Sequence, residues 1–166
     1  MIAAGIDLGR ARSVRNDDHA SGQASSLRAG LRAMASAAAT TGPVVLDAVV
    51  VLLGDQPMVS AALLEALVAR QRETGAAAVL CLQDGQRSPP TLLHRDLWAD
   101  LEALRGDTGA REILARRSDV ALLPVEHEVA GLGDVDTPED LRRLDAAGRI
   151  DGPRAEDPLK ARPLDA

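Results

Sequence analysis

Aromatic residues are nearly absent from this sequence. Its 166 residues include one Trp, no Phe and no Tyr, so aromatic residues make up 1% of the chain although apolar residues make up 46%. Leu, Val, Ile and Ala must therefore form the core. Proteins that bind RNA or single-stranded DNA stack the bases on aromatic side chains, so we expect no nucleic-acid partner.

Lysine and cysteine are equally scarce. The 19 basic residues are eighteen Arg and one Lys, Lys160, and 25 acidic residues outnumber them, which gives a formal charge of -6. This charge provides no general attraction for phosphate backbones or anionic lipids. The single cysteine, Cys81, excludes an internal disulfide and any zinc site built from several cysteines, and it fits a reducing compartment.

Long apolar runs are also missing. The longest run, residues 48–54, is far shorter than the ~20 residues of a membrane-spanning helix. The first residues do not show the basic start and apolar stretch of an export signal. We therefore expect a cytoplasmic protein with no membrane partner.

Segments with strand-like and helical patterns alternate along the chain. Residues 48–53 and 77–82 are short and continuously apolar, which is typical of strands that are buried on both faces, and Asp84-Gly85 predicts a turn. A third strand is predicted at residues 120–125, and helices are predicted at residues 24–39, from the Ser60 cap to Gly75, and at residues 94–104, 110–117 and 137–147. The alternation predicts an α/β fold with a mostly parallel sheet and helices on both faces.

One domain and a short tail account for the length, because a single domain averages roughly 150 residues. The domain is expected to span residues 1–148. Residues 149–166 contain three prolines and eight charged residues, a composition that predicts a disordered tail.

Two acidic segments are candidates for a metal site. Asp55 directly follows a buried strand, the position at which α/β folds bind ligands. Asp134 and Asp136 precede a helix start, and their spacing can point both in one direction. Carboxylates from separate strand ends form a hard oxygen site for Mg²⁺ and its phosphate ligands. The alternatives are a simple turn at Asp55 and helix-dipole compensation at residues 134–136.

Two further segments suit an anionic ligand. Residues 21–26 combine small side chains with free amides at a helix start, although these residues taken alone are better explained by simple capping through Ser25 or Ser26. Residues 106–111 can direct Arg111 towards an anion from the next helix. The three histidines have no closely spaced pair, which argues against zinc or Cys–His catalysis.

In this order, these segments resemble the MobA-like NTP transferases, most closely the molybdenum cofactor cytidylyltransferase (MocA-like) branch. The matching segments are Arg15-Asn16, Gly22-Gln23-Ala24-Ser25-Ser26-Leu27-Arg28-Ala29-Gly30-Leu31, Leu53-Gly54-Asp55-Gln56-Pro57, Gly106-Asp107-Thr108-Gly109-Ala110-Arg111 and Asp134-Val135-Asp136-Thr137-Pro138-Glu139-Asp140-Leu141. The resemblance implies a Rossmann-like, three-layer α/β/α fold of the nucleotide-diphospho-sugar transferase type.

The resemblance also implies an activity. CMP or GMP would pass from CTP or GTP to molybdopterin or a similar phosphorylated acceptor, with Mg²⁺ bound and pyrophosphate released. A molybdoenzyme or its chaperone is the implied protein partner. The implied residues are Asp55 and Asp136 for catalysis and metal binding, Gln23, Ser25 and Ser26 for the nucleotide, and Arg87, Asp107 and Arg111 for the acceptor substrate.

One part of the family pattern is missing. Family members begin with a strand and a Gly-rich loop that carries Arg and then Lys, whereas only 22 residues precede Gln23 here and the single Lys is Lys160. We therefore expect an N-terminally truncated domain. The alternatives to an active enzyme are an inactive fragment and a pseudoenzyme that serves as a nucleotide- or cofactor-binding module.

Overall fold

The structure, a computed structural model, describes residues 11–40, 45–107, 109–125 and 134–146. The elements in chain order are a 3-10 turn (His19–Ser21), α1 (Gln23–Thr40), β1 (Ala48–Val51), α2 (Ala61–Thr74), β2 (Ala78–Gln83), β3 (Gln86–His94), a second 3-10 turn (Arg95–Leu97), α3 (Trp98–Ala103), α4 (Ala110–Ala115), β4 (Val120–Pro124) and α5 (Pro138–Ala146). The predicted tail, residues 149–166, lies outside the described residues.

The four strands form a mixed sheet in the order β1-β3-β2-β4. Strand β3 is antiparallel to both β1 and β2, whereas β2 and β4 are parallel. Three strands thus share one direction, but only one of the three pairings is parallel. The expected mostly parallel sheet is therefore not found in the part of the chain that the structure describes.

A tight turn explains the reversed strand. Asp84 and Gly85 both have positive φ, 49° and 77°, as the two central residues of a type I′ hairpin turn do. Two residues can join only antiparallel strands, because a parallel pair needs a long crossover connection. The turn was predicted from Asp84-Gly85, but its effect on strand direction was not.

Helices cover both faces of the sheet, as predicted for a three-layer α/β/α fold. On one face, α1, α3 and α4 enclose a cluster of buried residues, namely Ala24, Leu31, Val49, Ala77, Ala78, Leu80, Leu93, Leu97, Leu101, Leu104 and Leu114. On the other face, α2 packs a second cluster of Leu63, Leu67, Val79, Cys81 and Leu92. Successive residues of β2 alternate between the clusters, which explains why that strand is continuously apolar.

Cys81 belongs to the second cluster and is fully buried. Burial raises the pKa of its thiol to about 11, because the thiolate is poorly solvated in an apolar environment. Cys81 is therefore a neutral core residue at physiological pH.

Local signals fixed the helix ends well. The Ser60 side chain accepts a hydrogen bond from the Leu63 N–H, and Gly75 closes α2 in the left-handed conformation at φ 65°. The single helix expected over residues 94–104 instead divides into a 3-10 turn and α3, because the His94 side chain accepts the Asp96 N–H and starts a tighter turn. No helix in the described ranges is both long and apolar enough to cross a membrane.

Candidate functional site: a junction of two loops and a pair of acidic segments

The start of α1 lies directly against the loop that follows α3. The Ala24 N–H donates to the Gly106 carbonyl at 3.1 Å. A Cβ at Gly22, where φ is 104°, would lie 2.6 Å from the Asp107 backbone nitrogen and closer still to the Gly106 carbonyl carbon. Only glycine permits both the positive φ and this approach. The contacts join two sequence motifs into one feature, which we call the loop junction (residues 22–26, 106, 107 and 109).

Asp107 and Gln23 meet in this junction. The Gln23 N–H donates to the Asp107 carboxylate at 3.3 Å, across 84 residues of sequence. A carboxylate at a helix N-terminus is favourable, because it faces unpaired N–H groups and the positive end of the helix dipole. The Gln23 side chain lies over Gly109, where a Cβ would be 2.8 Å from Oε1. Asp107, implied by the resemblance as a substrate contact, is thus bonded to the first residue of α1.

Asn16 connects the segment before α1 to its first turn. Its amide nitrogen, Nδ2, donates to Ser25 Oγ at 2.8 Å and to Ser26 Oγ at 2.9 Å. Its Oδ1 accepts the Asp18 N–H at 3.1 Å. The sequence identified Asn16 only as part of a motif. One signal for a structural role was available in the sequence. Asparagine favours turns in which its side chain bonds the backbone two residues further along the chain.

The two serines that Asn16 contacts differ in exposure. Ser25 is 4% exposed, and its hydroxyl donates to the Gly22 carbonyl at 2.8 Å. Ser26 is exposed. Ser25 therefore belongs to the inner wall of the loop junction, whereas Ser26 lies on its surface.

Arg28 stabilises the junction from the next turn of α1. Its side chain is 13% exposed and lies 3.8 Å from the Asp18 carboxylate. Its Nη1 donates to the Leu104 carbonyl at the end of α3. A largely buried guanidinium needs such partners, so these contacts hold α1 and the loop after α3 in a fixed relation.

The two acidic segments are also adjacent. The Val135 N–H donates to the Asp55 carbonyl at 2.8 Å. Gln56, which is 6% exposed, donates from Nε2 to the Asp134 carboxylate at 2.9 Å. These bonds join the loop after β1 to the segment before α5 and place Asp136 one residue from the contact. Both Asp55 and Asp136 are exposed, and the spacing of their carboxylates stays a prediction.

Three acidic or histidine ligands do not converge here. Across the described ranges, no group of three or more His, Cys, Asp or Glu side chains is arranged to hold a metal ion. Carboxylates such as those of Asp55 and Asp136 are the hard oxygen ligands that Mg²⁺ and Mn²⁺ prefer.

The two predicted arginines occupy different places. Arg111 is exposed on the first turn of α4, two residues after Gly109 in the loop junction. Arg87 is exposed on β3, opposite Leu82 in the hairpin. The contacts of the described residues link the helix of Arg111 to the junction, but they do not link Arg87 to it.

This arrangement of helices on both faces of a mixed sheet is shared with solved structures of the nucleotidyltransferase fold. Within this class, the chain belongs to the MobA-like NTP transferase family, because the MobA-like NTP transferase domain matches residues 3–120. The resemblance noted in the sequence is thereby confirmed at the level of the family.

Known proteins support this assignment. The purine catabolism protein PucB of Bacillus subtilis (strain 168) is 34% identical over 124 residues, which are 74% of this chain and 56% of PucB. The manganese complex of Rv0371C from Mycobacterium tuberculosis H37Rv is 29% identical with a TM-score of 0.53, over 72% of this chain and 58% of that one.

Molybdopterin-guanine dinucleotide biosynthesis protein A from Archaeoglobus fulgidus has the same fold, with 22% identity and a TM-score of 0.59 over 81% of this chain and 67% of that one. The chain thus spans a little over half the length of PucB and of Rv0371C.

Proposed function

We propose that this chain is a nucleotidyltransferase domain that acts in molybdenum cofactor biosynthesis. It transfers CMP or GMP from CTP or GTP to molybdopterin or a related phosphorylated acceptor and releases pyrophosphate. The observation that carries the proposal is the family match over residues 3–120, in which both motifs of the loop junction lie. The name of the Archaeoglobus protein, which refers to molybdopterin-guanine dinucleotide biosynthesis, supports a molybdopterin-related acceptor.

Asp55 and Asp136 are the proposed metal ligands and catalytic residues. The hydrogen bond between Val135 and Asp55 supports this assignment, because it holds the two segments side by side. Mg²⁺ is the proposed ion, and the manganese complex of Rv0371C supports a divalent cation. When bound, the ion would supply positive charge that offsets the negative charge of the phosphate groups.

The remaining side chains bind and orient the substrates. Gln23 and the two serines are proposed to contact or support the nucleotide, and Asp107 to hold Gln23 in place for it. Arg87 and Arg111 are the proposed cations for the acceptor phosphate, since guanidinium groups pair well with phosphate. The acceptor phosphate would attack the α-phosphorus of the NTP in line with the leaving pyrophosphate. This direct transfer needs no covalent enzyme intermediate.

The product's destination is part of the same proposal. We place the reaction in the cytoplasm, with a molybdoenzyme or its chaperone as the recipient of the nucleotide-bearing cofactor. Copurification of the chain with a molybdenum-containing protein from cytoplasmic extract is the expected result.

The direct test is nucleotide transfer by the purified full chain. CTP or GTP labelled at the α-phosphate is incubated with molybdopterin and Mg²⁺ or Mn²⁺, and label transfer and pyrophosphate are measured. We expect Asp55→Ala and Asp136→Ala each to lower turnover at least about a hundredfold, because removing charge stabilisation costs several kcal/mol in such sites.

Glu65→Ala is the matched control, because Glu65 is an exposed acid on α2, away from both site features. Turnover that is unaffected by both aspartate substitutions would contradict the metal assignment. Metal-dependent NTP binding without transfer would favour the binding-module alternative.

A further inference from the structure

We infer that Asn16 is a positioning residue that presents the Ser26 hydroxyl to the nucleotide as a hydrogen-bond donor, while Ser25 serves only as an internal support. The inference rests on the proposed function, since it assumes that a nucleotide binds at the loop junction. It goes further by giving the two serines different tasks and by naming the residue that separates them.

The orientation of the Asn16 amide is determined by its surroundings. The Asp18 N–H is a donor, so the side-chain atom that it meets at 3.1 Å must be the amide oxygen. The amide nitrogen therefore faces the serines, and its two hydrogens are divided between Ser25 and Ser26. In the reverse orientation, the amide N–H₂ of Asn16 would face the Asp18 N–H, and two donors would meet.

The hydroxyl of Ser25 is fully committed by this arrangement. It accepts from Asn16 and donates to the Gly22 carbonyl at 2.8 Å, and the residue is 4% exposed. Its hydrogen is used within the protein, and the low exposure of the residue leaves little room for a ligand atom. Ser25 therefore fixes the Gly22 carbonyl and hence the close contact of Gly22 with Gly106.

Ser26 has the opposite character. Its oxygen accepts from Asn16 at 2.9 Å, and the residue is exposed. The bond from Asn16 occupies one lone pair and keeps the hydroxyl hydrogen from pointing at the Asn16 amide, so the exposed Ser26 can donate this hydrogen to a bound ligand. The atom that pairs with it must be an acceptor. On an NTP this is an oxygen of the phosphates or the ribose, or an oxygen or ring nitrogen of the base.

Equilibrium binding of CTP and GTP in the presence of Mn²⁺ tests the inference on the full chain, with isothermal titration calorimetry as the readout. Ser26→Ala is expected to weaken binding of the better nucleotide about tenfold, which corresponds to the loss of one hydrogen bond to a charged or polar acceptor. Ser26→Thr keeps the hydroxyl and is expected to stay within about threefold of the unmodified chain.

Two substitutions of Asn16 distinguish positioning from a general structural role. Asn16→Ala frees the Ser26 hydroxyl to rotate and should weaken binding about threefold. Asn16→Asp should weaken it more, about tenfold or beyond, because a carboxylate accepts the Ser26 hydrogen and turns a lone pair towards the nucleotide.

The decisive comparison is a double-mutant cycle. If Asn16 acts through Ser26, Asn16→Ala changes binding less than about twofold once Ser26→Ala is present. An equal loss in both backgrounds means that Asn16 has only a structural role, and it overturns the inference. Inorganic triphosphate with Mn²⁺ separates the acceptors: an effect of Ser26→Ala on this probe indicates a phosphate oxygen, and its absence indicates the nucleoside.

Ser60→Ala is the matched control, because it removes a serine hydroxyl that caps α2. It should lower thermal stability and leave the dissociation constant unchanged. If the unmodified chain binds neither nucleotide, the proposed function fails. If it binds and Ser26→Ala does not weaken binding, the inference alone fails.

Discussion

Gly22 controls the geometry of the loop junction through the side chain that it lacks. Its φ of 104° and its approach to Gly106 and Asp107 leave no space for a Cβ. The bond from Gln23 to Asp107 depends on this approach, because it lies one residue further along the chain. A feature built from residues 84 positions apart thus relies on one glycine.

Gly22→Ala should therefore destabilise the chain by about 1–3 kcal/mol, the usual cost of a strained backbone conformation, with further loss from the displaced loop. Urea unfolding followed by circular dichroism measures the change. Gly30→Ala is the control, because Gly30 lies inside α1 and no atom lies within 4 Å of the position that its Cβ would take. It should stabilise the helix by roughly 0.5–1 kcal/mol. Similar effects at both glycines would contradict the close approach at Gly22.

At the scale of elements, α5 begins with a reciprocal cap. The Thr137 N–H donates to the Asp140 carboxylate at 2.9 Å, and the Asp140 N–H donates to Thr137 Oγ1 at 3.2 Å. The Thr137 hydroxyl also donates to this carboxylate at 2.6 Å and is the main reason that the pKa of Asp140 lies below its ordinary value of 3.8. The cap fixes the start of the helix that follows Asp136.

This cap predicts a pH dependence of α5. Because the pKa of Asp140 is lower in the folded chain, its stabilisation is present above pH 3.8 and is lost as the pH falls through the folded value. The protection factors of the α5 amides, which are their exchange rates corrected for the intrinsic effect of pH, should therefore fall on acidification. Asp140→Asn should give fast exchange already at neutral pH and remove much of the dependence. Glu139→Gln, at an exposed neighbour, should retain it. Equal exchange in the two variants would argue against the cap.

At the scale of the whole molecule, two hydrophobic clusters share one sheet. Adjacent residues of β2 and β3 point to opposite faces, so each strand contributes to both clusters. Trp98, the single tryptophan, packs against the cluster of α1, α3 and α4. Leu67 of α2 is fully buried in the cluster on the opposite face. The shared strands should couple the two faces in unfolding.

Leu67→Ala tests this coupling from the face that Trp98 does not occupy. The substitution should cost about 2–5 kcal/mol because it leaves a cavity in the core. The Trp98 fluorescence and far-ultraviolet circular dichroism transitions should shift together. Leu141→Ala, at a leucine that is 50% exposed, should change stability by less than about 0.5 kcal/mol. An unchanged Trp98 transition with a shifted dichroism transition would mean that the two faces unfold separately.

Features with local causes were predictable from the sequence. The limits of α2 follow from a serine cap and a left-handed glycine, and both act within one turn of the helix. The apolar runs of β1 and β2 predicted burial on both faces, although β1 ends at Val51, before the expected end at residue 53. The motif order predicted the family, and the family match over residues 3–120 contains all of these segments except the last.

The sequence by itself therefore determined the type of most elements, the layered α/β plan and the family. The tertiary structure decided which neighbours the elements take. It placed β3 between β1 and β2. The hydrophobic pattern of a single strand does not specify which other strand it pairs with, so this order could not be read from local patterns. It bonded Asp107 to Gln23, because this contact depends on the packing of two segments that are distant in sequence. It also buried Ser25 and exposed Ser26, because neighbouring residues of a helix point in different directions.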